Sequence, residues 1–488
     1  MNAKPGTRIL FLDMDNVEVQ HNVTRRVLEA TKHPANPLLP LGDVHEWDSL
    51  QAAPWASRTV LYDEEEGLFK CWYAGTDLST ERWWATGYAY SEDGINWTKP
   101  RLGLFEYNGN RDNNICVMDL GPVIKDPGED DPNKRYKMLK MGLQRERGIR
   151  AGYSSDGLHW QEGARIDLPE WEGGRPDMVV LLRDDQDPDP NRRYKFVWQR
   201  VLPSNKPGPE GVRTKYLGYG PDIEHFEASK LNPILHPNDG LEHENHFLML
   251  APYCGQYVML YEYGWYTPNG SGNFGSYCAD IRLATSRDGE RYERINPHEK
   301  IIPRGPRGAW DGGFLVISDK PVIKGDTIYL YYAGNGEDWT SWPGSNKHAG
   351  YRFTSTGCVR SSRMGLATLR RDGFTCLQTT DGETPGFAST RPIDRVAGDI
   401  DLVANVGCTL QNRSWVEVEV LDPETGDPMA GFTRADCCDI SRDGTQLAVR
   451  WGDRGIFNAP KSPFKLRFWI YGAARLHAFG FEPGGLVD

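Results

Sequence analysis

The chain has 488 residues, which is too long for one ordinary domain and sufficient for two. Its 53 glycines, 33 prolines and 16 tryptophans are typical of an all-β chain rich in turns rather than a helical bundle. A formal net charge of −12 argues against nucleic-acid and anionic-membrane partners.

The first residues contain no apolar stretch long enough for a secretory signal, because Asp13 and Asp15 interrupt the one candidate. No run of about 18 apolar residues occurs anywhere, so we expect no membrane span. The nine cysteines are scattered and lack CxxC spacing. This pattern predicts a reduced, cytoplasmic chain without a disulfide framework or a metal site.

A repeated strand pattern runs through the first 380 residues or so. Five segments alternate aromatic and aliphatic residues, namely LFKCWYAG (68–75), RYKMLKMG (135–142), RYKFVWQR (193–200), QYVMLYEY (256–263) and TIYLYYAG (327–334). An apolar strand precedes each segment, and a strand that runs to a turn, Asp-Gly in four of the five copies, follows it. The unit is therefore a small antiparallel sheet that occurs five times.

Closing five such sheets into a ring protects their edges, so we predict an all-β fold with a five-bladed β-propeller over residues 1–385. The N-terminal segment RILFLDMDNVEV (8–19) is expected to supply a strand that closes the ring. From residue 391 the repeat stops and short alternating strands follow, which predicts a C-terminal β-sandwich over 391–488.

The turns SEDGINW (91–97) and SSDGLHW (154–160), together with NPLLP (36–40) before the first blade, carry a resemblance. The chain resembles the five-bladed propeller glycosidases, the broad group of glycoside hydrolase families 32, 43, 68 and 130. It lacks the Trp-Met-Asn-Asp-Pro and Glu-Cys motifs of family 32, so no single family is assigned. The resemblance implies a carbohydrate substrate and no cofactor, although some relatives hold a calcium ion in the channel.

The resemblance also implies an active site at the channel mouth, where the first strand of each blade begins. Glycoside cleavage needs two carboxyl groups, so acids at these positions are the candidate catalytic residues. The candidates are Asp177 in GGRPDMVVLL, Glu244 in LEHENHFLML and Asp311 in GAWDGGFLVIS. We assign Glu244 as general acid and Asp177 as base or nucleophile, with Asp311 and Arg58 positioning the sugar.

The other candidate substrate-binding residues lie near these strand starts or in a long insertion after the fifth segment. They are Asp13, Glu46, Trp55, His246, Trp310, Trp339, Trp342 and Arg352. Asp126 imitates the Arg-Asp-Pro signature of family 32, but it aligns with Asp63 and Asp184, which predicts a structural turn residue. The insertion suits either sugar binding or a contact in a homo-oligomer.

The leading interpretation is a glycosidase that cleaves a terminal sugar, with a furanoside as one substrate class. A second interpretation is phosphorolysis, which would use Arg58, Arg175, Arg352 or Arg360 to bind phosphate. A third is a non-catalytic propeller that binds a glycan or a protein. The third predicts that the acids at the mouth are paired with Arg or Lys.

Overall fold

The computed structural model describes residues 1–55, 58–77, 85–141, 148–166, 177–202, 212–237, 241–268, 274–336, 353–354, 357–358, 361–395, 400–408 and 413–483. Two compact units emerge. The first comprises Met1–Leu28, Ile295–Glu299 and Leu369–Asp488, and the second comprises Glu29–Arg294 and Lys300–Thr368. The predicted boundary at 385–391 therefore lies inside the first unit, whose C-terminal part begins at Leu369.

All regular structure in the described residues is β-strand, apart from four 3-10 turns at Pro132–Lys134, Pro190–Arg192, Arg434–Asp436 and Ile456–Asn458. The first ten strands are β1 (Asn2–Ala3), β2 (Thr7–Leu10), β3 (Val17–His21), β4 (Val23–Val27), β5 (Thr31–Lys32), β6 (Gln51–Ala53), β7 (Thr59–Asp63), β8 (Leu68–Thr76), β9 (Ala85–Ser91) and β10 (Ile115–Val117). The next twelve are β11 (Val123–Lys125), β12 (Tyr136–Met141), β13 (Ile149–Ser154), β14 (Gln161–Ile166), β15 (Asp177–Arg183), β16 (Tyr194–Leu202), β17 (Val212–Gly220), β18 (Glu227–Ala228), β19 (Leu248–Tyr253), β20 (Gln256–Pro268), β21 (Phe274–Ser286) and β22 (Glu293–Arg294).

The remaining strands are β23 (Phe314–Ile317), β24 (Val322–Lys324), β25 (Thr327–Asn335), β26 (Phe353–Thr354), β27 (Gly357–Cys358), β28 (Ser362–Arg370), β29 (Thr375–Thr379), β30 (Gly386–Thr390), β31 (Asp394–Arg395), β32 (Ile400–Gly407), β33 (Trp415–Leu421), β34 (Gly444–Ala448), β35 (Lys465–Tyr471) and β36 (Arg475–Pro483). The all-β prediction is confirmed. None of the described segments forms a helix that is long and apolar enough to cross a membrane. No group of three metal-ligating side chains was found among the described residues.

Within the described residues, the strands of the second unit can be grouped by the sequence repeat to which they belong. Repeat 1 contains β6–β10, repeat 2 contains β11–β14, repeat 3 contains β15–β18, repeat 4 contains β19–β22 and repeat 5 contains β23–β28. Repeats 2 and 3 are separate four-stranded sheets with strands in chain order. Parallel pairing of β21 with β23 and of β6 with β28 joins repeats 4, 5 and 1 into one sheet.

Alternate residues on a strand face opposite sides of the sheet, so each repeat has apolar side chains on both faces. These side chains pack against those of the neighbouring repeats. One buried cluster joins each successive pair, and a further cluster joins the fifth repeat to the first. Each cluster contains side chains from both repeats that it joins. One pair from each of the five clusters, with one residue from either repeat, is Trp72 and Tyr136, Leu139 and Phe196, Leu182 and Met259, Tyr277 and Phe314, and Phe69 and Tyr331.

A polar contact also recurs between repeats 1 and 2, 2 and 3, and 3 and 4. A buried aspartate at or just after the end of the strand that precedes the repeat's aromatic segment accepts hydrogen bonds from a lysine of the same repeat and a tyrosine hydroxyl of the next. The three sets are Asp63 with Lys70 and Tyr136, Asp126 with Lys137 and Tyr194, and Asp184 with Lys195 and Tyr257. Asp126 therefore has the structural role that its alignment predicted.

The Asp-Gly turns have one local geometry in three copies. A serine hydroxyl accepts a bond from the glycine amide at 2.9 Å and donates one to the aspartate, which in turn accepts two following amides. The copies are Ser91, Asp93 and Gly94; Ser154, Asp156 and Gly157; and Ser286, Asp288 and Gly289. The three glycines have φ between +75° and +78°, a conformation that a side chain would disfavour.

In the first unit, one sheet has the order β34-β32-β36-β29-β4, with β2 also paired to β36, and a second has the order β3-β30-β35-β33. Both contribute to one buried cluster that includes Phe11, Leu402, Val418 and Phe468. The prediction that the N-terminal segment closes the ring of repeats is wrong, because β2 and β3 pair with β36 and β30 instead.

Candidate active site

Glu244 lies just before β19, where an isolated bridge to Gly264 holds the backbone. Its side chain is fully buried. The carboxylate accepts hydrogen bonds from Arg213 Nη1 at 2.7 Å, from Tyr266 Oη at 3.0 Å and from His246 Nε2. Burial alone would raise the pKa of Glu244, but these contacts lower it to about 2.

These contacts favour the ionised form of Glu244, whereas the predicted role of general acid needs the protonated form. His246, which was predicted to bind substrate, contacts Glu244 directly.

Glu262 is a second buried carboxyl group, in the middle of β20, and the sequence analysis missed it. Its Oε1 accepts a hydrogen bond from Tyr277 Oη at 2.6 Å, and its Oε2 accepts one from the backbone amide of Phe247 at 3.1 Å. Burial raises the pKa of Glu262, although both bonds and nearby His246 act in the opposite direction. Glu262 is therefore the more readily protonated of the two acids.

Two contacting tyrosines connect these carboxyl groups. Tyr266 bonds Glu244, Tyr277 bonds Glu262, and the two rings lie 5.2 Å apart between centroids. The His246 ring also lies 5.2 Å from the Tyr277 ring. Burial and the charges of Glu262 and Glu244 raise the pKa of Tyr277 well above its ordinary value, so its hydroxyl stays a donor.

An aromatic surface adjoins this group. The half-buried ring of Trp55 lies 5.5 Å from the ring of Phe247, and both belong with Tyr266 and Tyr277 to one apolar cluster. Trp55 was predicted to bind substrate, and the structure brings it close to the candidate acids. An aromatic face beside carboxyl groups suits the apolar side of a sugar ring.

The repeat register contained a signal for Glu262. The first aromatic residues of the five repeated segments are Phe69, Tyr136, Tyr194, Tyr257 and Tyr329. Five residues after them lie Ala74, Met141, Gln199, Glu262 and Gly334. The other four repeats have an apolar or uncharged residue at this position, so packing does not require an acid there. Burying a carboxyl group is costly, and an acid at this position therefore indicates a specific role. The roles of Arg213, Tyr266 and Tyr277 had no comparable signal, because they depend on contacts across strands.

Asp311 and Trp310, both predicted to act on the substrate, have contacts with a lysine and a tyrosine. Asp311 Oδ2 accepts bonds from Lys32 Nζ at 2.6 Å and Tyr332 Oη at 3.2 Å. The Trp310 ring stacks on Tyr332 at 5.8 Å and covers Gly334. These contacts fit a structural role within repeat 5.

Repeat 1 contains the same arrangement as repeat 5. Trp47 stacks on Tyr73 at 5.5 Å, and Asp48 accepts bonds from Tyr73 Oη at 2.7 Å and Lys99 Nζ at 2.6 Å. Glu46, next to this pair, is exposed and accepts a bond from the amide of Asp43. A cleft lined by Glu46, Trp47, Asp48 and Lys99, among others, lies here.

Arg58 and Asp13 are the remaining predicted site residues whose side chains the structure describes. Arg58 is fully buried, and desolvation lowers its pKa to about 9. Asp13 belongs to the first unit and follows β2. Asp177 begins β15, but its side chain lies outside the described structure, as do Trp339, Trp342 and Arg352 and the phosphate candidates Arg175 and Arg360.

No family model and no curated protein matches the chain. Its structural neighbours include a glycoside hydrolase that is 12% identical, with 70% of this chain and 91% of the other covered and a TM-score of 0.47. A structure from glycoside hydrolase family 130, which contains hydrolases of β-1,2-mannosidic linkages in Candida mannan, is 15% identical. The match covers 70% of this chain and 93% of the other, with a TM-score of 0.44.

An N-acetylgalactosamine deacetylase from F. plautii, solved with blood group B trisaccharide, is another neighbour. It is 14% identical, covers 72% of this chain and 97% of its own, and has a TM-score of 0.42. Likenesses at TM-scores below 0.5 assign neither a family nor a reaction. The function has to be argued from the chain's own residues.

Proposed function

We propose that the second unit is a five-bladed β-propeller and that the first is a β-sandwich. Five antiparallel groups share buried clusters in succession, and the cluster between the fifth and the first supports a closed ring. In the first unit, two sheets that contribute to one apolar cluster support a sandwich.

We infer that the protein hydrolyses a glycosidic bond at Glu244 and Glu262. The observation that carries this proposal is a pair of buried carboxyl groups, linked by two contacting tyrosines, whose pKa values are shifted in opposite directions. Environments that separate two acids in this way divide them into a proton donor and a charged group. Glycoside cleavage needs this division, because the leaving oxygen takes a proton while the sugar carbon becomes positive.

Glu262 is the proton donor in this proposal, since burial keeps its proton at a higher pH. Glu244 is the carboxylate that faces the developing positive charge, as nucleophile, base or electrostatic stabiliser. Arg213, His246 and Tyr266 hold it charged and in place. Trp55 and Phe247 supply the aromatic surface for the sugar ring.

The test is a screen of the purified protein on nitrophenyl furanosides and pyranosides, which also covers the predicted furanoside class. The variants are Glu244→Gln and Glu262→Gln, with Glu242→Gln as control. Glu242 is equally buried and bonds Arg294 Nη2 at 2.9 Å, so it matches Glu244 in burial and partner type. We expect both site variants to lose roughly 10²-fold or more in kcat, and the control to keep it.

A better leaving group separates the two roles. On a dinitrophenyl glycoside, departure needs little proton donation, so Glu262→Gln should recover most of its loss and Glu244→Gln should not. Turnover that survives in both variants on every substrate contradicts the assignment. Turnover that requires added phosphate identifies phosphorolysis instead, and silence across the panel favours a non-catalytic binding protein.

A further inference from the structure

Several buried polar side chains of the second unit have atoms without a hydrogen-bond partner, and those atoms of three uncharged side chains lie close together. They are both amide atoms of Gln51, the Ser362 hydroxyl and the Asn335 Oδ1. Gln51 and Ser362 are 0% exposed and Asn335 is 1% exposed. Buried polar groups in proteins are nearly always paired, so a group of three unmet ones calls for an explanation.

The three residues are neighbours. Gln51 and Ser362 lie opposite each other where β6 pairs with β28 in parallel. On the other side, β28 adjoins β25, with the Tyr332 ring against Gly365. Ser362 lies three residues before Gly365 and Asn335 three residues after Tyr332, which puts the start of β28 beside the end of β25.

This group also adjoins the candidate active site. Gln51 shares its side of β6 with Ala53, which belongs to the same apolar cluster as Phe247, Tyr266 and Tyr277. Asn335 pairs across the sheet with Phe314 of that cluster and donates its Nδ2 to the Phe314 carbonyl at 3.3 Å. The two tyrosines bond Glu244 and Glu262.

The unmet atoms comprise the amide donor and acceptor of Gln51, the donor and acceptor of a hydroxyl, and one carbonyl acceptor. No charge is among them. Adjacent hydroxyls of a sugar ring donate and accept together, and a side-chain amide bonds two of them at once. An anionic or purely apolar ligand would leave part of this set unmatched.

We propose that Gln51, Ser362 and Asn335 form a subsite that binds hydroxyl groups of the sugar substrate. The proposal rests on the proposed function, because it assigns a recognition role beside the same carboxyl pair. In the substrate-free protein the three groups are unmet, and the sugar hydroxyls satisfy them on binding. Specificity follows, because a deoxy analogue leaves buried groups without partners.

The test uses Gln51→Met and Ser362→Ala, which keep most of the volume and remove the polar atoms. Thr375→Val is the matched control, because the Thr375 hydroxyl is also buried and without a partner but belongs to the first unit. We expect KM on the hydrolysed glycoside to rise about tenfold in Gln51→Met, with kcat within about threefold and with an unchanged or higher melting temperature. The control should keep both kinetic constants.

A second measurement separates this proposal from hydrolysis itself. The melting temperature of wild type and of each variant is recorded with D-mannose, D-galactose, L-arabinose or D-fructose. A sugar-induced rise that is lost in Gln51→Met and kept in Thr375→Val supports the subsite, even if no glycoside is hydrolysed. The proposal is overturned if Gln51→Met has an unchanged KM and a lowered melting temperature. It is also overturned if no sugar raises the melting temperature of wild type and Gln51→Met leaves KM unchanged.

Discussion

The assignment of the catalytic acids can be tested at Asp311, which the sequence favoured and which the structure pairs with Lys32. Asp311→Asn removes the charge that bonds Lys32 Nζ at 2.6 Å, in a pair whose side chains are 6% and 27% exposed, respectively. Breaking a fully buried pair costs about 3–5 kcal/mol. Because Lys32 is a quarter exposed and water can solvate it, we expect a loss of about 2 kcal/mol.

The assay is differential scanning calorimetry beside steady-state kinetics on the glycoside that the screen identifies. For a unit of this size, the loss corresponds to a fall of roughly 4 °C in Tm. The matched variant is Asp48→Asn, because Asp48 bonds Lys99 Nζ at 2.6 Å and a stacked tyrosine in the equivalent place. Both variants should lose similar stability and keep kcat within about threefold of wild type.

One result would refute this reasoning. Suppose that Asp311→Asn has the melting temperature of wild type but loses 100-fold or more in kcat, while Asp48→Asn remains active. Asp311 then acts on the substrate. The Lys32 contact would then position a catalytic acid, and the pairing of Glu244 with Glu262 would have to be abandoned.

Three further outcomes follow. Burial raises the pKa of Glu262, so its proton is present below that pKa, and kcat should fall as the pH rises through it. The pKa of Glu244 is about 2, so kcat should not decrease on the acid side until the pH is below about 3. A decrease in kcat as the pH is lowered to about 4.5 would contradict the assignment of Glu244. Tyr194→Phe removes one of the hydrogen bonds to buried Asp126 and should cost about 1.5–3 kcal/mol in thermal unfolding, without effect on KM. Deleting residues 1–12 removes the strand that pairs with β36 and should make the first unit sensitive to limited proteolysis, whereas resistance equal to that of the full chain would contradict the pairing.

Much of the fold could be predicted because its determinants are local. The alternating strands, the Asp-Gly turns and the fivefold recurrence depend on residues that are close together in the chain. Asp126 was recognised as structural from its register alone, and the structure gives it the same kinds of partner as Asp63 and Asp184. Glu244 was found because an acid before an apolar strand is exceptional.

The charge states and partners could not be predicted, because they depend on contacts between distant residues. The largest contribution that lowers the pKa of Glu244 comes from nearby His246, but Arg213 and Tyr266, which also lower it, lie 31 and 22 residues away. Asp311 is paired with Lys32 across 279 residues. Strand pairing of the N-terminal segment was equally open in the sequence, since an alternating strand fits any free sheet edge of matching pattern.

The sequence by itself therefore determined the strands, the turns and the number of repeats, because hydrophobic period and turn chemistry act over a few residues. Only the tertiary structure decided which carboxyl groups are held charged, which are buried with a raised pKa, and which are neutralised by lysine. Burial and charge are set by every side chain packed around a group, and that neighbourhood exists only in the folded protein.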